Sequence, residues 1–193
     1  MLLAVVYANG TYHAHLGEHD PLSTYDASWE QLGYHDKLAK SIEEHLGTDQ
    51  PVVYLPYWNN AHLTDIFTNE GKQKRAFETD PLLGALGEVA SSPLFEVFPT
   101  AAGRNPKLSG HDYATEEAWR TRLLELTRQE EGGCFVGAYT RACVADIAGM
   151  VLTNTGAEVF IDPALSVDIF GKGYVLAIPV DVPYRTMSMN GND

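Results

Sequence analysis

Residues 134–162 read CFVGAYTRACVADIAGMVLTNTGAEVFID, and they carry the clearest indication of the fold class. Cys134 to Ala138 is a short apolar run typical of a buried strand, and Val144 to Thr155 has apolar residues at helical spacing, closed by Gly156. Glu158 to Asp162 is a second apolar run. Two buried strands joined by an amphipathic helix predict a βαβ unit with both strands parallel in one sheet.

The rest of the chain repeats this alternation. Apolar runs predict four more strands, at Leu2 to Ala8, Pro51 to Tyr57, Leu94 to Phe98 and Tyr174 to Val180. Helical spacing and capping signals predict three more helices, over His35 to Leu46, from Asp80-Pro81 onward, and after an N-cap at Thr115. The pattern predicts a Rossmann-like, three-layer α/β/α fold with a mostly parallel sheet of about six strands. No internal repeat or linker is visible, so residues 1–193 are expected to form a single domain.

The composition argues against several classes of partner. The chain has 13 basic and 26 acidic residues and a formal net charge of −13. A surface this acidic repels phosphate backbones and anionic lipid, so neither nucleic acid nor membrane is an expected partner. No apolar run approaches the ~20 residues of a membrane span, and the apolar start lacks the basic leader of a signal peptide. Two cysteines are too few for a disulfide framework, so we expect a cytoplasmic protein.

Cys143 is the best-placed reactive group in the sequence. It follows a predicted buried strand by a few residues and opens a predicted helix. Backbone N–H groups at a helix start carry partial positive charge, which favours thiolate over thiol and can hold a developing oxyanion. Cys143 is therefore a candidate nucleophile. The alternative is a small buried residue at a helix start, which is the commoner role for an arbitrary cysteine.

The segment Gly137-x-x-Thr140-x-x-Cys143-Val144 resembles the nucleophile segment of the isochorismatase-like cysteine hydrolases. That family includes nicotinamidases and N-carbamoyl amide hydrolases, and its order of elements is similar to that predicted from Leu2 to Ala164. The resemblance implies that Cys143 attacks the carbonyl of a small-molecule amide to form an acyl-enzyme, which water then hydrolyses, without a cofactor. In the family an aspartate and a lysine assist the cysteine.

Both assisting positions depart from the family pattern. The aspartate normally ends the first strand, where this chain has Tyr7, and a phenol with a pKa near ~10 is a poor base at neutral pH. Lys107 is the candidate lysine, but it lies nine residues beyond the predicted strand end at Phe98, farther than in the family. Two interpretations stay open. The chain is either an active hydrolase of an amide or related C–N bond, or a catalytically degenerate relative that binds a small ligand or partner without turnover.

The resemblance also assigns substrate-binding residues. In the family, a cis peptide bond in the cysteine loop turns backbone N–H groups toward the substrate, and this loop maps onto Ala138, Tyr139 and Thr140. Trp58, at the end of the second predicted strand, is a candidate for an aromatic wall, with ordinary packing as the alternative. Only Leu165 to Gly173 separates Ala164 from the last predicted strand, which is too short for the helix that the family usually has there. Part of the sheet would then be exposed, which favours a dimer or other homo-oligomer.

Three histidines follow the first predicted strand. The H-x-H spacing of His13 and His15, with His19 nearby, is compatible with a zinc site, although a polar surface loop is the more common meaning of such a pattern. One of these histidines could also replace the missing acid as general base. We expect no metal, and keep both roles as minor alternatives.

Overall fold

The computed structural model describes residues 1–8, 33–56, 80–98, 100, 113–138, 140–167 and 181–187. Its strands all lie parallel in one sheet, in the order β3-β2-β1-β4-β5. They are β1 (Leu2–Val6), β2 (Val52–Leu55), β3 (Phe95–Val97), β4 (Gly132–Ala138) and β5 (Glu158–Val167). The predicted α/β fold is confirmed, with five strands in the sheet rather than six. The expected sixth strand, Tyr174 to Val180, lies outside the described residues.

Four α-helices flank the sheet in the described part of the chain: α1 (Tyr34–Leu46), α2 (Pro81–Leu86), α3 (Tyr113–Gln129) and α4 (Ala145–Thr155). A 3₁₀ turn, Gly87–Ser91, follows α2, and a π-helical turn, Thr140–Val144, leads directly into α4. None of the described helices is both long and apolar enough to cross a bilayer.

The two faces of the sheet carry separate apolar clusters, because successive side chains of a strand point to opposite faces. On one side, which we call the α1 face, α1 and α2 cover strand residues that include Leu3, Val5, Tyr54 and Cys134. On the other, the α4 face, α3 and α4 cover residues that include Leu2, Ala4, Val6 and Phe135. This is the expected three-layer arrangement.

Local capping signals explain two helix ends. Asp80 accepts hydrogen bonds from the backbone N–H groups of Leu82 and Leu83, at 3.0 and 3.1 Å, and Pro81 occupies the first helical position, as predicted. Gly156 ends α4 in the left-handed conformation. The predicted N-cap at Thr115 is wrong, since α3 already begins at Tyr113. The acidic residues after Thr115 suit a first turn, but they do not fix where that turn starts.

Strand β5 is longer than predicted because it contains a wide bulge. Phe135 of β4 pairs with Ile161, but Gly137 pairs with Ser166. Over this interval β5 advances five residues while β4 advances two, so the bulge contains three extra residues of β5. The buried Asp162 carboxylate stabilises the bulge by accepting the Ala164 N–H at 2.7 Å. The Asp-Pro pair that seemed to end the strand therefore forms a bulge within it.

Residues 181–187 cover the outer edge of β5. The Ile161 N–H donates to the Pro183 carbonyl and the Arg185 N–H donates to the Ile161 carbonyl, both at 2.9 Å. The Met187 N–H donates to the Asp162 carboxylate at 2.8 Å. Since Val182 packs into the α4-face cluster and Met187 into the α1-face cluster, this segment covers an edge that pairs with no further strand in the described part of the chain.

Candidate functional site

The strand order places a topological switch point between the carboxyl ends of β1 and β4. The chain runs from β1 outward to β2 and β3, then returns to add β4 and β5 on the opposite side of β1. Ligands of open α/β sheets bind where the strand order reverses in this way. Val6 pairs with Gly137, so Tyr7 and Ala138 end the two strands side by side. The candidate site therefore lies at this edge.

Gly137 permits the close approach of the two strands. Its φ is +121°, and a Cβ atom built there would lie 2.0 Å from the Val6 carbonyl oxygen. A side chain at this position would collide with backbone, which cannot give way as a flexible side chain can. The glycine of the sequence motif thus has a structural role beside the candidate nucleophile.

Cys143 lies half-buried in the π-helical turn Thr140–Val144, packed against the α4-face cluster. The helical segment starts at Thr140, three residues earlier than predicted, so Cys143 belongs to its first turn and does not open it. The N–H groups of a first turn have no acceptor within their own helix, and single π turns are frequent at functional sites. Ala138 and Thr140, two of the predicted substrate-binding residues, are buried at the same strand end.

Tyr7 breaks the alternation of β1. Strict alternation would place its side chain with Leu3 and Val5 on the α1 face, yet the ring packs in the α4-face cluster, and Ala8 takes the α1 side. The cause is a left-handed backbone at Tyr7, with φ of +53°. Such a conformation costs on the order of 1–3 kcal/mol in a non-glycine residue and persists only where its surroundings enforce it. The buried ring therefore shares the α4 face with Cys143.

The first turn of α1 reaches three backbone carbonyls at the same edge of the sheet. Lys37 Nζ donates to the Ala164 carbonyl at 2.7 Å, and the buried Tyr34 hydroxyl donates to the Leu165 carbonyl at 3.4 Å. His35 Nε2 lies 2.8 Å from the Ala8 carbonyl oxygen. The sequence alone does not predict these three contacts. What could have indicated them is their place in the first turn of α1, because a helix that follows a strand of such a sheet begins near the carboxyl ends of the strands.

A buried polar pair lies on the α1 face. The Tyr54 hydroxyl donates to Asp80 Oδ2 at 2.9 Å, while Oδ1 of the same carboxylate caps α2. Burial raises the pKa of Asp80, and burial together with the Asp80 charge raises the pKa of Tyr54 well above its usual value. These hydrogen bonds join β2 to α2, which gives the pair a structural role.

Cys134 is a poorer candidate nucleophile than Cys143. It is fully buried in the α1-face cluster, on the other side of the sheet. Burial raises the pKa of its thiol, and the nearby Asp162 charge raises it further. A thiol held in its neutral form inside the core is a poor nucleophile.

Several predicted site residues lie outside the described residues: Lys107, Tyr139, Trp58, His13, His15 and His19. Their predicted roles in catalysis, substrate binding and zinc ligation stay predictions. Among the residues that the structure describes, no group of three His, Cys, Asp or Glu side chains could hold a metal ion.

The described site therefore consists of Tyr7, Ala138, Thr140 and Cys143 around the ends of β1 and β4. Comparison of the chain with protein-family models, with curated proteins and with solved structures finds no match.

Proposed function

We propose that the protein is a cysteine hydrolase that cleaves an amide or related C–N bond of a small molecule, with Cys143 as nucleophile. One observation carries this proposal: a half-buried thiol lies in the first turn of a helix at the switch point of a parallel sheet. That environment favours the thiolate and offers N–H donors to an oxyanion. The resemblance of the motif around Cys143 to the isochorismatase-like hydrolases supports the choice of bond.

The proposed reaction has two steps. The Cys143 thiolate attacks the carbonyl carbon, and the C–N bond breaks as the nitrogen leaves with a proton, which gives a thioester. Water then attacks the thioester, releasing the carboxylic acid and restoring the thiol. Lys107 is proposed to stabilise charge in the site, and one of His13, His15 and His19 to take the role of the family's aspartate. In the same proposal the protein is a cytoplasmic homo-oligomer.

The reactivity of Cys143 tests the first requirement. At pH 6.5 an ordinary thiol is only about 1% thiolate, so an activated cysteine should react with iodoacetamide at least about tenfold faster than a free model thiol. The rate is measured by mass spectrometry of the peptide that contains Cys143, and Cys143→Ser is the control. Cys134 alone is an unsuitable reference, because burial already slows it. A Cys143 rate equal to that of the model thiol would contradict the proposal.

Turnover tests the second requirement. We expect a panel of small amides and ureides to contain a substrate whose hydrolysis is lost in Cys143→Ser, while Cys134→Ser keeps the activity. Release of ammonia or amine is the measurement. Hydrolysis that survives Cys143→Ser would place the chemistry elsewhere.

Tyr7 favours a second candidate function, which is binding of a small ligand without turnover. The buried phenol ring stands where the family's general base would be, and it cannot accept a proton at neutral pH. Under this alternative, Cys143 shows no acceleration over the model thiol and the amide panel is not hydrolysed. A ligand from the same panel would nevertheless raise the melting temperature of the protein.

A further inference from the structure

His35 makes a defined contact with the end of β1. Its Nε2 lies 2.8 Å from the Ala8 carbonyl oxygen. Because a carbonyl oxygen can only accept, Nε2 must carry the hydrogen. The imidazole also lies edge-on to the neighbouring Tyr34 ring, with 5.4 Å between centroids and 70° between planes. The Tyr34 hydroxyl is itself bound to the Leu165 carbonyl, so the His35 ring is supported from its own helix turn.

Ala8 is the residue directly after Tyr7, whose backbone is strained. The left-handed backbone of Tyr7 lies between two hydrogen bonds. The Tyr7 N–H donates to the Leu55 carbonyl at 2.9 Å, and the carbonyl of the following residue, Ala8, accepts from His35. If either bond is lost, the backbone can relax toward an extended conformation. Strict alternation would then turn the phenol ring away from the face that carries Cys143.

We propose that His35 is a positioning residue for this site: its bond to Ala8 holds the turn that directs Tyr7 to the Cys143 side of the sheet. This inference rests on the proposed function only in calling the place a site. The turn at Tyr7 is a property of the fold, and it can be measured whether or not Cys143 is reactive.

Lys37 provides a matched control. It lies in the same turn of α1 and also donates to a backbone carbonyl of a strand, but that carbonyl belongs to Ala164 in the β5 bulge and not to Ala8. Lys37→Met therefore removes a comparable contact between α1 and the sheet and leaves the β1 end intact. His35→Gln keeps an N–H donor near the position of Nε2, whereas His35→Leu removes it.

The first measurement is amide hydrogen exchange at Tyr7, followed by NMR. We expect exchange about tenfold faster in His35→Leu, restored to within about threefold of wild type in His35→Gln, and unchanged in Lys37→Met. Unchanged exchange in His35→Leu would overturn the proposal. Equal acceleration in Lys37→Met would also overturn it, because the effect would then be a general loosening of α1.

The second measurement is iodoacetamide labelling of Cys143 in the same variants. Loss of the turn would move the Tyr7 ring off the face that carries Cys143. A positioning role therefore predicts a labelling rate that differs from wild type in His35→Leu, recovery in His35→Gln and no change in Lys37→Met. Labelling of Cys143 that stays at the wild-type rate in His35→Leu, despite faster exchange at Tyr7, would overturn the link to the site. Failure of the proposed function is distinguishable, since it appears in the wild-type protein as a Cys143 no faster than the model thiol.

Discussion

Gly137 is the single residue whose replacement should be least tolerated. Its would-be Cβ lies 2.0 Å from the Val6 carbonyl oxygen, and its φ of +121° is unfavourable for any side chain. We expect Gly137→Ala to separate β1 from β4 at the site and to cost more than about 3 kcal/mol of unfolding free energy, or to prevent folding. Urea denaturation followed by circular dichroism measures this cost.

Gly84 provides the control for that prediction. It lies exposed in α2, and a Cβ there would meet no atom within 4 Å. Gly84→Ala should therefore be neutral or stabilise the fold by up to about 1 kcal/mol, because alanine has the higher helix propensity. A Gly137→Ala protein as stable as the Gly84→Ala protein would refute the close approach of β1 and β4.

Single residues differ in how far the sequence predicts them. The place of Cys143 follows from an apolar strand before it and a helical stripe after it, both of which are local patterns. The face of the sheet on which the Tyr7 ring lies is not predictable in this way, since strand alternation predicts the α1 face and the ring packs on the α4 face. A left-handed tyrosine has no sequence signature, because tertiary contacts and not the residue type enforce it.

At the scale of elements, the bond between Tyr54 and Asp80 joins β2 to α2. Asp80→Ala removes the cap of α2 and leaves the buried Tyr54 hydroxyl without its acceptor, which together should cost about 2–4 kcal/mol. Asp80→Asn keeps an oxygen for the cap and should cost less. The measurement is again the free energy of unfolding in urea.

A double variant separates the two contributions of Asp80. Adding Tyr54→Phe to Asp80→Ala removes the hydroxyl that has lost its acceptor. The double variant should therefore lose about 1 kcal/mol less unfolding free energy than the sum of the losses in the two single variants. If the two losses are strictly additive, the Tyr54 hydroxyl left without Asp80 carries no free-energy cost.

Elements are predictable from sequence where their signals are local. Asp80-Pro81 and Gly156 mark helix ends through backbone chemistry that needs no distant partner. The start of the π-helical turn at Thr140 and the bulge after Asp162 depend on neighbouring strands and on the Met187 N–H. These features therefore appear only when the chain is folded.

At the scale of the whole molecule, His45 links folding to pH. This buried residue of α1 donates from Nε2 to the Met1 carbonyl at 3.0 Å. Desolvation by burial is the largest cause that lowers its pKa below 6.5. The folded protein thus holds a neutral imidazole, while the unfolded chain takes up a proton as the pH falls through about 6.5. The stability contributed by neutral His45 is therefore present above that pH and is lost below it.

The variant His45→Gln isolates this effect. Glutamine keeps a donor for the Met1 carbonyl but does not titrate, so the variant should lose less stability between pH 7.5 and 5.5. The difference between the two slopes should be at most about 1.4 kcal/mol per pH unit, the value for one proton. Urea unfolding at several pH values gives both slopes, and parallel curves would show that His45 does not titrate on unfolding.

The order of the sheet is a property of the whole molecule that the sequence left open. Alternating strands and helices predict parallel pairing, but they do not say that β4 returns to the free side of β1. That return creates the switch point, so the sequence predicts Cys143 near a strand end but does not predict that this end lies at a switch point.

The two cysteines lie on opposite faces of one continuous sheet. A disulfide needs Cα atoms within roughly 7 Å and side chains that point toward each other. The side chains of Cys134 and Cys143 are separated by the sheet, so they cannot form one in the folded protein. Cys134 is the one other cysteine in these 193 residues, so an oxidised Cys143 has no resolving thiol among them. A mixed disulfide at Cys143 would therefore form with a thiol from outside these residues, such as a low-molecular-weight thiol, which a reductant would then release.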